Sequence, residues 1–287
     1  MKERKESKER KGLKERKGAG RIKRGRRERG KLRKPGVVRD TLKNRERRTG
    51  KTDTKKEVRI AMNNKNHQPS IEEEEIVQQH VKDYIKELLP QHQGLLKELE
   101  DYAAAHHVPI IQGEVAALIQ VLVKTSKAEK ILEIGTAIGY SAMIMAEAME
   151  EEGRIVTLER NEKMVALAGE NIRRGGYENQ IQIIPGDALE TLHFLPGDYD
   201  LIFMDGGKGH YREMLDLAIS LLKPGGLLIS DNILYKGMVS SEELVQRRKR
   251  TIVHRMREYL EYITHHRELT TSIIPIGDGV ALSYKKN

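Results

Sequence analysis

The spacing of apolar residues divides the chain at about residue 130. Before this point apolar side chains recur every three or four positions, which predicts three helices, at residues 70–90, 95–105 and 113–125. Ser70 and the glutamates that follow it have the features of a helix N-cap and an acidic first turn. Three helices ahead of the first strong strand predict a helical cap that packs on a later sheet.

From residue 130 onward, strand and helix patterns alternate. The predicted strands cover residues 130–134, 154–159, 181–185, 199–205 and 226–231, and the predicted helices cover 141–148, 162–175, 189–194, 211–222 and 242–265. Two last strands, 269–275 and 279–285, flank Gly277-Asp278-Gly279 and predict a β-hairpin. The pattern predicts an α/β fold, a doubly wound and mostly parallel seven-stranded sheet with an N-terminal helical cap and a C-terminal antiparallel hairpin.

Charge is distributed unevenly between the two parts of the chain. Residues 1–70 hold 28 Lys and Arg against 9 Asp and Glu, a net charge of +19, and the whole chain carries +9. Residues 71–287 therefore carry −10, and the basic pI is no argument that this part binds nucleic acid. The composition predicts a disordered basic tail at 1–69 and a folded domain at 70–287. The tail is either an arm that attracts RNA or an extension without a specific role, and Met62 is a possible true start.

Several classes of protein are excluded or disfavoured by what the sequence lacks. The absence of cysteine excludes disulfides, thiolate catalysis and Cys-ligated zinc. The sequence contains no run of 18 apolar residues, so it predicts no transmembrane helix. Its N-terminus lacks the apolar stretch of a secretory signal. We therefore expect a cytoplasmic protein that does not act at a membrane.

A glycine loop follows the first strand of the alternating region, in the sequence from Glu133 to Ser141. Gly135 and Gly139 allow the backbone to approach a ligand, since neither has a Cβ. Tyr140 and Ser141 open the next helix, whose free N–H groups suit a carboxylate. Glu159, at the end of the second strand, is placed to accept bonds from two ribose hydroxyls.

The spacing of this loop distinguishes between nucleotide ligands. It is G-x-x-x-G, which differs from the G-x-G-x-x-G of dinucleotide enzymes and from the Gly-Lys-Ser/Thr of phosphate loops. These features favour a ligand with a carboxylate, a ribose and no phosphate, which describes S-adenosylmethionine. Gly186-Asp187-Ala188 after the third strand and Lys223-Pro224-Gly225-Gly226 before the fifth strengthen this prediction. The alternative is an α/β domain that binds no nucleotide.

A second group of polar residues lies at the ends of strands four and five. Asp205, Asp231 and Asn232 should meet at the edge of the sheet that carries the glycine loop. Two carboxylates and an amide oxygen suit Mg²⁺ or another hard divalent cation and leave positions open for substrate oxygens. Lys208 is close enough in sequence to act on the same substrate. Acidic strand ends without a metal are the alternative.

Residues 71–287 resemble the cation-dependent O-methyltransferases, the family of catechol and caffeoyl-CoA O-methyltransferases, and within it the bacterial tRNA 5-hydroxyuridine methyltransferases. The resemblance implies a class I methyltransferase (Rossmann-like) fold. It also implies the roles of individual residues: Asp205, Asp231 and Asn232 bind the cation, Lys208 is the base, and Glu133, Glu159, Asp205 and the backbone of Ile110 contact the methyl donor. The sequence departs from the animal catechol enzymes at Gly206-Gly207, where bulky residues flank the adenine, and it lacks their aromatic gatekeepers.

These observations lead to a hypothesis with two alternatives. The hypothesis is cation-dependent methyl transfer from S-adenosylmethionine to 5-hydroxyuridine at the tRNA wobble position, by a homodimer that binds the anticodon loop. The first alternative is a small catechol-like or hydroxycinnamoyl acceptor, and the second is a tail-driven RNA-binding protein with a vestigial methyltransferase domain. Basic residues of the predicted helix 242–265 either bind phosphates or are simply solvated: Arg247, Arg248, Lys249, Arg250, Arg255 and Arg257.

Overall fold

The computed structural model describes residues 76–287, so the predicted basic tail and the Ser70 N-cap lie outside the described residues. The helices are α1 (Gln79–Leu88), α2 (Gly94–His106), α3 (Gly113–Ser126), α4 (Tyr140–Ala148), α5 (Glu162–Gly175), α6 (Ala188–Thr191), α7 (Tyr211–Leu221) and α8 (Arg250–Thr264). The strands are β1 (Lys130–Ile134), β2 (Arg154–Glu159), β3 (Ile181–Pro185), β4 (Tyr199–Met204), β5 (Leu222–Ser230), β6 (Leu269–Ile274) and β7 (Val280–Lys285).

The strands form one seven-stranded sheet in the order β3-β2-β1-β4-β5-β7-β6. β1 to β5 run parallel, and β7 pairs antiparallel with both β5 and β6. The predicted fold class is therefore confirmed, with its helical cap and its C-terminal hairpin. Strand order reverses between β1 and β4, and in open α/β sheets ligands bind beyond the strand ends at such a point.

Apolar side chains cover both faces of the sheet. On one face the cap helices α2 and α3 pack with α4 and α5, and on the other face α7 and α8 cover the strands. β4 lies at the centre and all six of its residues are buried, as expected for a strand covered on both faces. α1 differs from the other cap helices, since it has no buried residue. The buried centre of the sheet therefore lies at the switch point between β1 and β4.

The predicted helix at 242–265 is wrong over its first turns, because α8 begins only at Arg250. A short 3₁₀ turn precedes it, and residues 242–246 form turns and loop. Arg257 explains the difference. Its guanidinium donates to the carbonyl oxygens of Val239 and Met238, at 2.9 and 3.1 Å, and pairs with Glu242. These bonds hold residues 238–242 in a loop that folds back against α8. A continuous helix from residue 242 would break the contact between Glu242 and Arg257, which are 15 residues apart.

Smaller differences concern the strand ends at the switch point. β4 ends at Met204 and β5 at Ser230, so Asp205 and Asp231 stand one residue beyond their strands. β5 also begins earlier than predicted, at Leu222, with a register irregularity opposite β4. No helix within residues 76–287 is long and apolar enough to cross a membrane.

Candidate active site

The loops after β1 and β4 touch through two glycines. Gly135 has a φ of +106°, and a Cβ added to it would lie 2.7 Å from the backbone nitrogen of Gly206. The Gly206 N–H in turn donates to the carbonyl oxygen of Ile134 at 2.7 Å. Gly206 therefore allows the two loops to meet. The sequence had indicated this residue only as a departure from the catechol enzymes.

Gly139 ends the loop and leads into α4. Its φ is +85°, and its N–H donates to the carbonyl oxygen of Thr136 at 2.8 Å. This left-handed residue turns the chain, so that α4 starts at Tyr140 with its N-terminus at the switch point. The N–H groups of the first turn have no partner within the helix and suit an anionic group of a ligand.

Glu133 lies beneath this loop and is fully buried. Its carboxylate accepts bonds from Ser141 Oγ and Thr157 Oγ1, each at 2.5 Å, and Thr157 Oγ1 also lies 2.6 Å from Thr136 Oγ1. Burial raises the pKa of Glu133 to about 7, although both hydroxyl bonds act to lower it. The structure thus places Glu133 and Ser141 in a buried network that ties β1, β2 and α4 together.

Glu159 extends from the end of β2, and backbone groups fix its carboxylate. One oxygen accepts from the Ala137 N–H at 3.0 Å, and the other accepts from the Asn161 N–H at 2.8 Å. Each carboxylate oxygen can accept further bonds. Glu159 lines two cavities, so its fixed oxygens are available to ligand hydroxyls on either side.

The smaller of these cavities measures about 100 Å³ and lies between the ends of β1, β2 and β3. Asp187 and Ala188 line it together with Gly135 and Glu159, and Asp187 also caps α6 by accepting from the Leu189 N–H at 2.9 Å. Further lining comes from apolar side chains: Ile134, Leu158, Leu189 and Met214. An apolar slot beside two carboxylates suits a flat base attached to a ribose.

The second cavity has a volume of about 320 Å³ and is lined by many of the predicted site residues. Its lining includes seven of the residues predicted from the sequence: Ile110, Gly135, Glu159, Asp205, Lys208, Asp231 and Asn232. We call this space the reaction cavity. Five lining residues were not predicted as site residues, and two of these carry polar groups: Tyr235 in the loop after β5 and Asp278 in the β6–β7 turn.

The two acids of the reaction cavity lie close enough to affect each other. Burial, and next the Asp205 carboxylate, raise the pKa of Asp231 to about 7, and burial also raises the pKa of Asp205. Lys208 opposes this effect, with its Nζ 3.4 Å from Asp205 Oδ1. Asn232 has a φ of +56°, and its N–H donates to Asp231 Oδ1 at 2.6 Å. This left-handed turn allows two consecutive residues to line one cavity.

The donor set can be tested against a divalent cation. Among the described residues, no group of three or more His, Cys, Asp or Glu side chains is arranged to hold a metal. The predicted set contains only two acids, because Asn232 supplies an amide. The cavity lining nevertheless carries four acidic side chains, Glu159, Asp205, Asp231 and Asp278, and a single basic one, Lys208. Hard oxygen donors with excess negative charge fit Mg²⁺ or a similar ion.

The side chain of Tyr140 forms hydrogen bonds with the helical cap, unlike the other residues predicted to bind the methyl donor. Its hydroxyl donates to Glu100 Oε1 at 2.7 Å and lies 3.0 Å from His92 Nδ1, so its side chain is bound to the cap. It lines a larger cavity of about 670 Å³ beside the cap, which Ile110 also lines. His92 and Glu100 are 2.7 Å apart. Sequence reasoning gave no signal for this three-residue contact, because its members are distant in the chain.

Comparison with known proteins decides the family. The profile described as O-methyltransferase matches residues 86–286, about 70% of the chain. The chain belongs to the O-methyltransferase family. It is 36% identical over 168 residues to the catechol O-methyltransferase of Niastella koreensis, covering 55% of this chain and 75% of that protein. The resemblance identified from the sequence is therefore confirmed at the level of this family.

Solved structures agree with this assignment. A Staphylococcus aureus protein assigned to the caffeoyl-CoA O-methyltransferases superposes with a TM-score of 0.68 at 36% identity, over 72% of this chain and 99% of that one. An O-methyltransferase from Bacillus cereus, solved in complex with SAH, has a TM-score of 0.65 at 28% identity, over 72% and 97% of the two chains. The superposed part of this chain thus matches nearly the full length of both solved structures.

Proposed function

We propose that the chain transfers a methyl group from S-adenosylmethionine to a hydroxyl oxygen, with the assistance of a divalent cation. One observation carries this proposal: a single cavity at the switch point is lined by the fixed carboxylate of Glu159, by Lys208, and by three oxygen donors, Asp205, Asp231 and Asn232. The bound SAH in the Bacillus cereus relative supports the choice of donor.

The chain's own groups fit the parts of the donor. The slot beside Asp187 and Ala188 would hold the adenine, and the Glu159 carboxylate would accept from the ribose hydroxyls. The first turn of α4, opened by Tyr140 and Ser141, would face the donor's carboxylate. Ile110 also lines the reaction cavity, where its apolar side chain would exclude water from the sulfonium end. Bound in this way, the donor supplies the electrophilic methyl group.

Asp205, Asp231 and Asn232 would hold the cation. A bound divalent cation supplies positive charge that lowers the pKa of an acceptor hydroxyl and fixes its direction. Lys208 lines the same cavity and, in its neutral amine form, would take the hydroxyl proton and become an ammonium as the acceptor oxygen is methylated. Its 3.4 Å separation from Asp205 Oδ1 keeps the ammonium or amine directed into the cavity. The aligned groups reduce the loss of entropy on reaching the transition state.

We propose 5-hydroxyuridine at the tRNA wobble position as the acceptor, which would give 5-methoxyuridine. Its O5 and O4 form a pair that can chelate a cation, and an anticodon loop is single-stranded, so its base enters a pocket at low cost. Four consecutive exposed cations, Arg247 to Arg250, support an RNA acceptor. Lys249 Nζ lies 5.9 Å from the ring of Tyr235, which itself lines the reaction cavity. The other two predicted cations are engaged, Arg257 as described and Arg255 with the carbonyl oxygen of Gly209.

A small catechol-like or hydroxycinnamoyl acceptor is the second candidate. The names of the relatives favour it, since the Niastella protein is a catechol O-methyltransferase. The reaction cavity of about 320 Å³ is also large enough for a single aromatic ring. The two candidates share the donor, the cation and Lys208, and they differ only in what occupies the mouth of the cavity.

Direct methylation assays separate these candidates. The full chain is incubated with labelled S-adenosylmethionine, Mg²⁺ and either an anticodon stem-loop that contains 5-hydroxyuridine or catechol and caffeoyl-CoA, and products are identified by mass spectrometry. We expect 5-methoxyuridine from the stem-loop, and loss of transfer in EDTA and in Asp205→Ala. Methylation of catechol or caffeoyl-CoA alone would identify a small-molecule enzyme, and full activity in EDTA would exclude the cation.

We also propose that the enzyme is a cytoplasmic homodimer. Large apolar side chains are exposed on neighbouring helices of the cap, with Tyr84 and Leu88 of α1 61% and 64% exposed and Val121 of α3 59% exposed. Such side chains are candidates for a contact between copies. Sedimentation velocity on the full chain, beside a Tyr84→Lys, Leu88→Lys variant, tests this. A wild-type monomer at micromolar concentration would contradict the homodimer.

A further inference from the structure

The reaction cavity depends on how two strand ends are held, and one buried tyrosine bridges them. Tyr211 is the first residue of α7 and is 1% exposed. Its hydroxyl lies 2.9 Å from the carbonyl oxygen of Met204 and 3.2 Å from that of Asp231, so the two carbonyls share its single hydrogen in a three-centre bond. The first carbonyl belongs to the peptide that leads into Asp205, and the second belongs to the peptide between Asp231 and Asn232.

These two peptides lie just beyond the regular pairing of β4 and β5. The last backbone bond between the strands runs from the Asp231 N–H to the Met204 carbonyl oxygen, at 2.9 Å. After that point the chains separate, and Asn232 adopts its left-handed conformation. Without a further link, the spacing and tilt of Asp205 relative to Asp231 would depend on two loops. The Tyr211 hydroxyl supplies the link at this point.

The ring of Tyr211 is itself held in place. It packs edge-on against Tyr259 of α8, with ring centroids 5.3 Å apart and an interplanar angle of 69°. The Tyr259 hydroxyl lies 2.5 Å from Ser230 Oγ, a side-chain contact one residue before Asp231. Both tyrosines are buried, so neither ring has room to move away from the strand ends. The phenol of Tyr211 is therefore a rigid brace rather than a surface contact.

We infer that Tyr211 is a positioning residue that sets the geometry of the cation site by bracing the peptides of all three proposed ligands. This inference rests on the proposed function, since it requires that Asp205, Asp231 and Asn232 bind a divalent cation. Tyr211 touches neither the cation ligands' side chains nor the acceptor in this role. It acts on their backbone, in the way that groups behind metal ligands commonly orient them.

The variant Tyr211→Phe tests the inference, because it removes the hydroxyl and keeps the ring. Groups behind the ligands typically change metal affinity by about 10- to 100-fold, so we expect Mn²⁺ binding, measured by electron paramagnetic resonance on the full chain, to weaken at least about tenfold. The cation concentration for half-maximal methyl transfer should rise by the same factor, while the KM for S-adenosylmethionine stays within about twofold.

Tyr259→Phe is the matched control. It removes a buried hydroxyl from the same aromatic pair, but one that contacts only a serine side chain. We expect this variant to retain Mn²⁺ affinity within about twofold, even where its melting temperature falls as far as that of Tyr211→Phe. Equal affinity in Tyr211→Phe and wild type, or equal losses in both variants, would overturn the inference. A wild-type chain that binds no Mn²⁺ would instead overturn the proposed cation site itself.

A second measurement reports on the brace without any cation. Hydrogen exchange of the Asp205 and Asn232 amides, in the metal-free chain, should be faster in Tyr211→Phe than in Tyr259→Phe, because the peptides that precede them lose their anchor. Unchanged exchange at both amides would show that the strand ends are held by other contacts, and the inference would fall.

Discussion

At the scale of single residues, Gly135 and Gly206 show how the approach of two backbones shapes the site. Gly135→Ala would place a methyl group 2.7 Å from a backbone nitrogen at a φ of +106°, so a loop must move. We expect a loss of about 1–3 kcal/mol in the free energy of unfolding and at least tenfold weaker donor binding. Urea unfolding and calorimetric titration with SAH measure both quantities.

Gly169→Ala is the control for that change. Gly169 lies within α5, and a Cβ there would meet nothing within 4 Å. Alanine in a helix interior should stabilise the protein by about 0.5–1 kcal/mol and leave SAH binding unchanged. Equal SAH affinity in Gly135→Ala and Gly169→Ala would show that the contact between the two loops does not shape the donor site.

Glu133 is the residue at which pH acts on stability. In the folded protein the pKa of the Glu133 carboxyl is about 7, whereas its ordinary value is 4.5. Between pH 4.5 and pH 7 this carboxyl therefore binds more protons in the folded state than in the unfolded state. The contribution of Glu133 is therefore fully present below about pH 4.5 and is lost as pH rises to about 7. At about 1.4 kcal/mol per pH unit, the loss is roughly 3 kcal/mol.

Glu133→Gln should remove this dependence, because a glutamine carries no charge at any of these pH values. We expect the wild-type melting temperature to fall relative to that of Glu133→Gln between pH 5 and pH 8, as measured by circular dichroism. The two curves should be closest at pH 5, where the wild-type carboxyl is largely protonated. Parallel curves over this range would contradict a raised pKa at Glu133.

At the scale of elements, the β6–β7 turn holds the loop after β5 over the reaction cavity. Asp278 Oδ1 accepts from the Lys236 N–H at 2.5 Å, and the backbone of the turn accepts from Ile233 and Leu234. Tyr235 and Lys236 have positive φ values of 47° and 55°, so this loop is strained and requires support. The carboxylate of Asp278 supplies part of that support.

Asp278→Ala should therefore loosen the wall of the cavity that carries Tyr235. We expect the KM for the acceptor to rise by about tenfold or more, while SAH affinity stays within about twofold, since neither Asp278 nor Tyr235 lines the proposed adenine slot. Asp278→Asn keeps an oxygen that can accept from Lys236 and should retain near wild-type kinetics. Equal kinetics in the alanine variant and wild type would show that Asp278 does not support the loop.

The elements also show what sequence patterns can and cannot predict. β1, β2, α5 and β3 have the bounds predicted from periodicity, because each has a local apolar pattern and ends at, or directly before, a polar residue or a glycine. The start of α8 was missed because it depends on Arg257, 18 residues from the carbonyl of Val239 that it binds. Asp278 and Tyr211 were missed for the same reason, since their contacts join residues distant in sequence.

At the scale of the whole molecule, the two parts of the chain have opposite net charge. Residues 1–70 carry +19 and residues 71–287 carry −10, so the proposed RNA acceptor would meet two parts of the chain that have opposite charge. Arg247 to Arg250 are the only run of four exposed cations among the described residues, and one of them, Lys249, has its Nζ 5.9 Å from the ring centroid of Tyr235, which lines the reaction cavity. We therefore expect methyl transfer and the attraction of the proposed RNA acceptor to depend on different parts of the chain.

A chain shortened to begin at Ser70 tests this separation. Because the proposed donor, cation and acceptor residues all lie after residue 100, we expect methylation of a saturating 5-hydroxyuridine stem-loop to stay within about twofold of the full chain. Stem-loop affinity at low salt should fall by at least about tenfold, and the slope of log affinity against log salt should become shallower, since fewer phosphate contacts release fewer counterions.

Substituting Arg247, Arg248, Lys249 and Arg250 by glutamine in the shortened chain should then reduce the remaining slope. An unchanged slope on shortening would assign the attraction to this run alone, and loss of methyl transfer would place part of the site in residues 1–69.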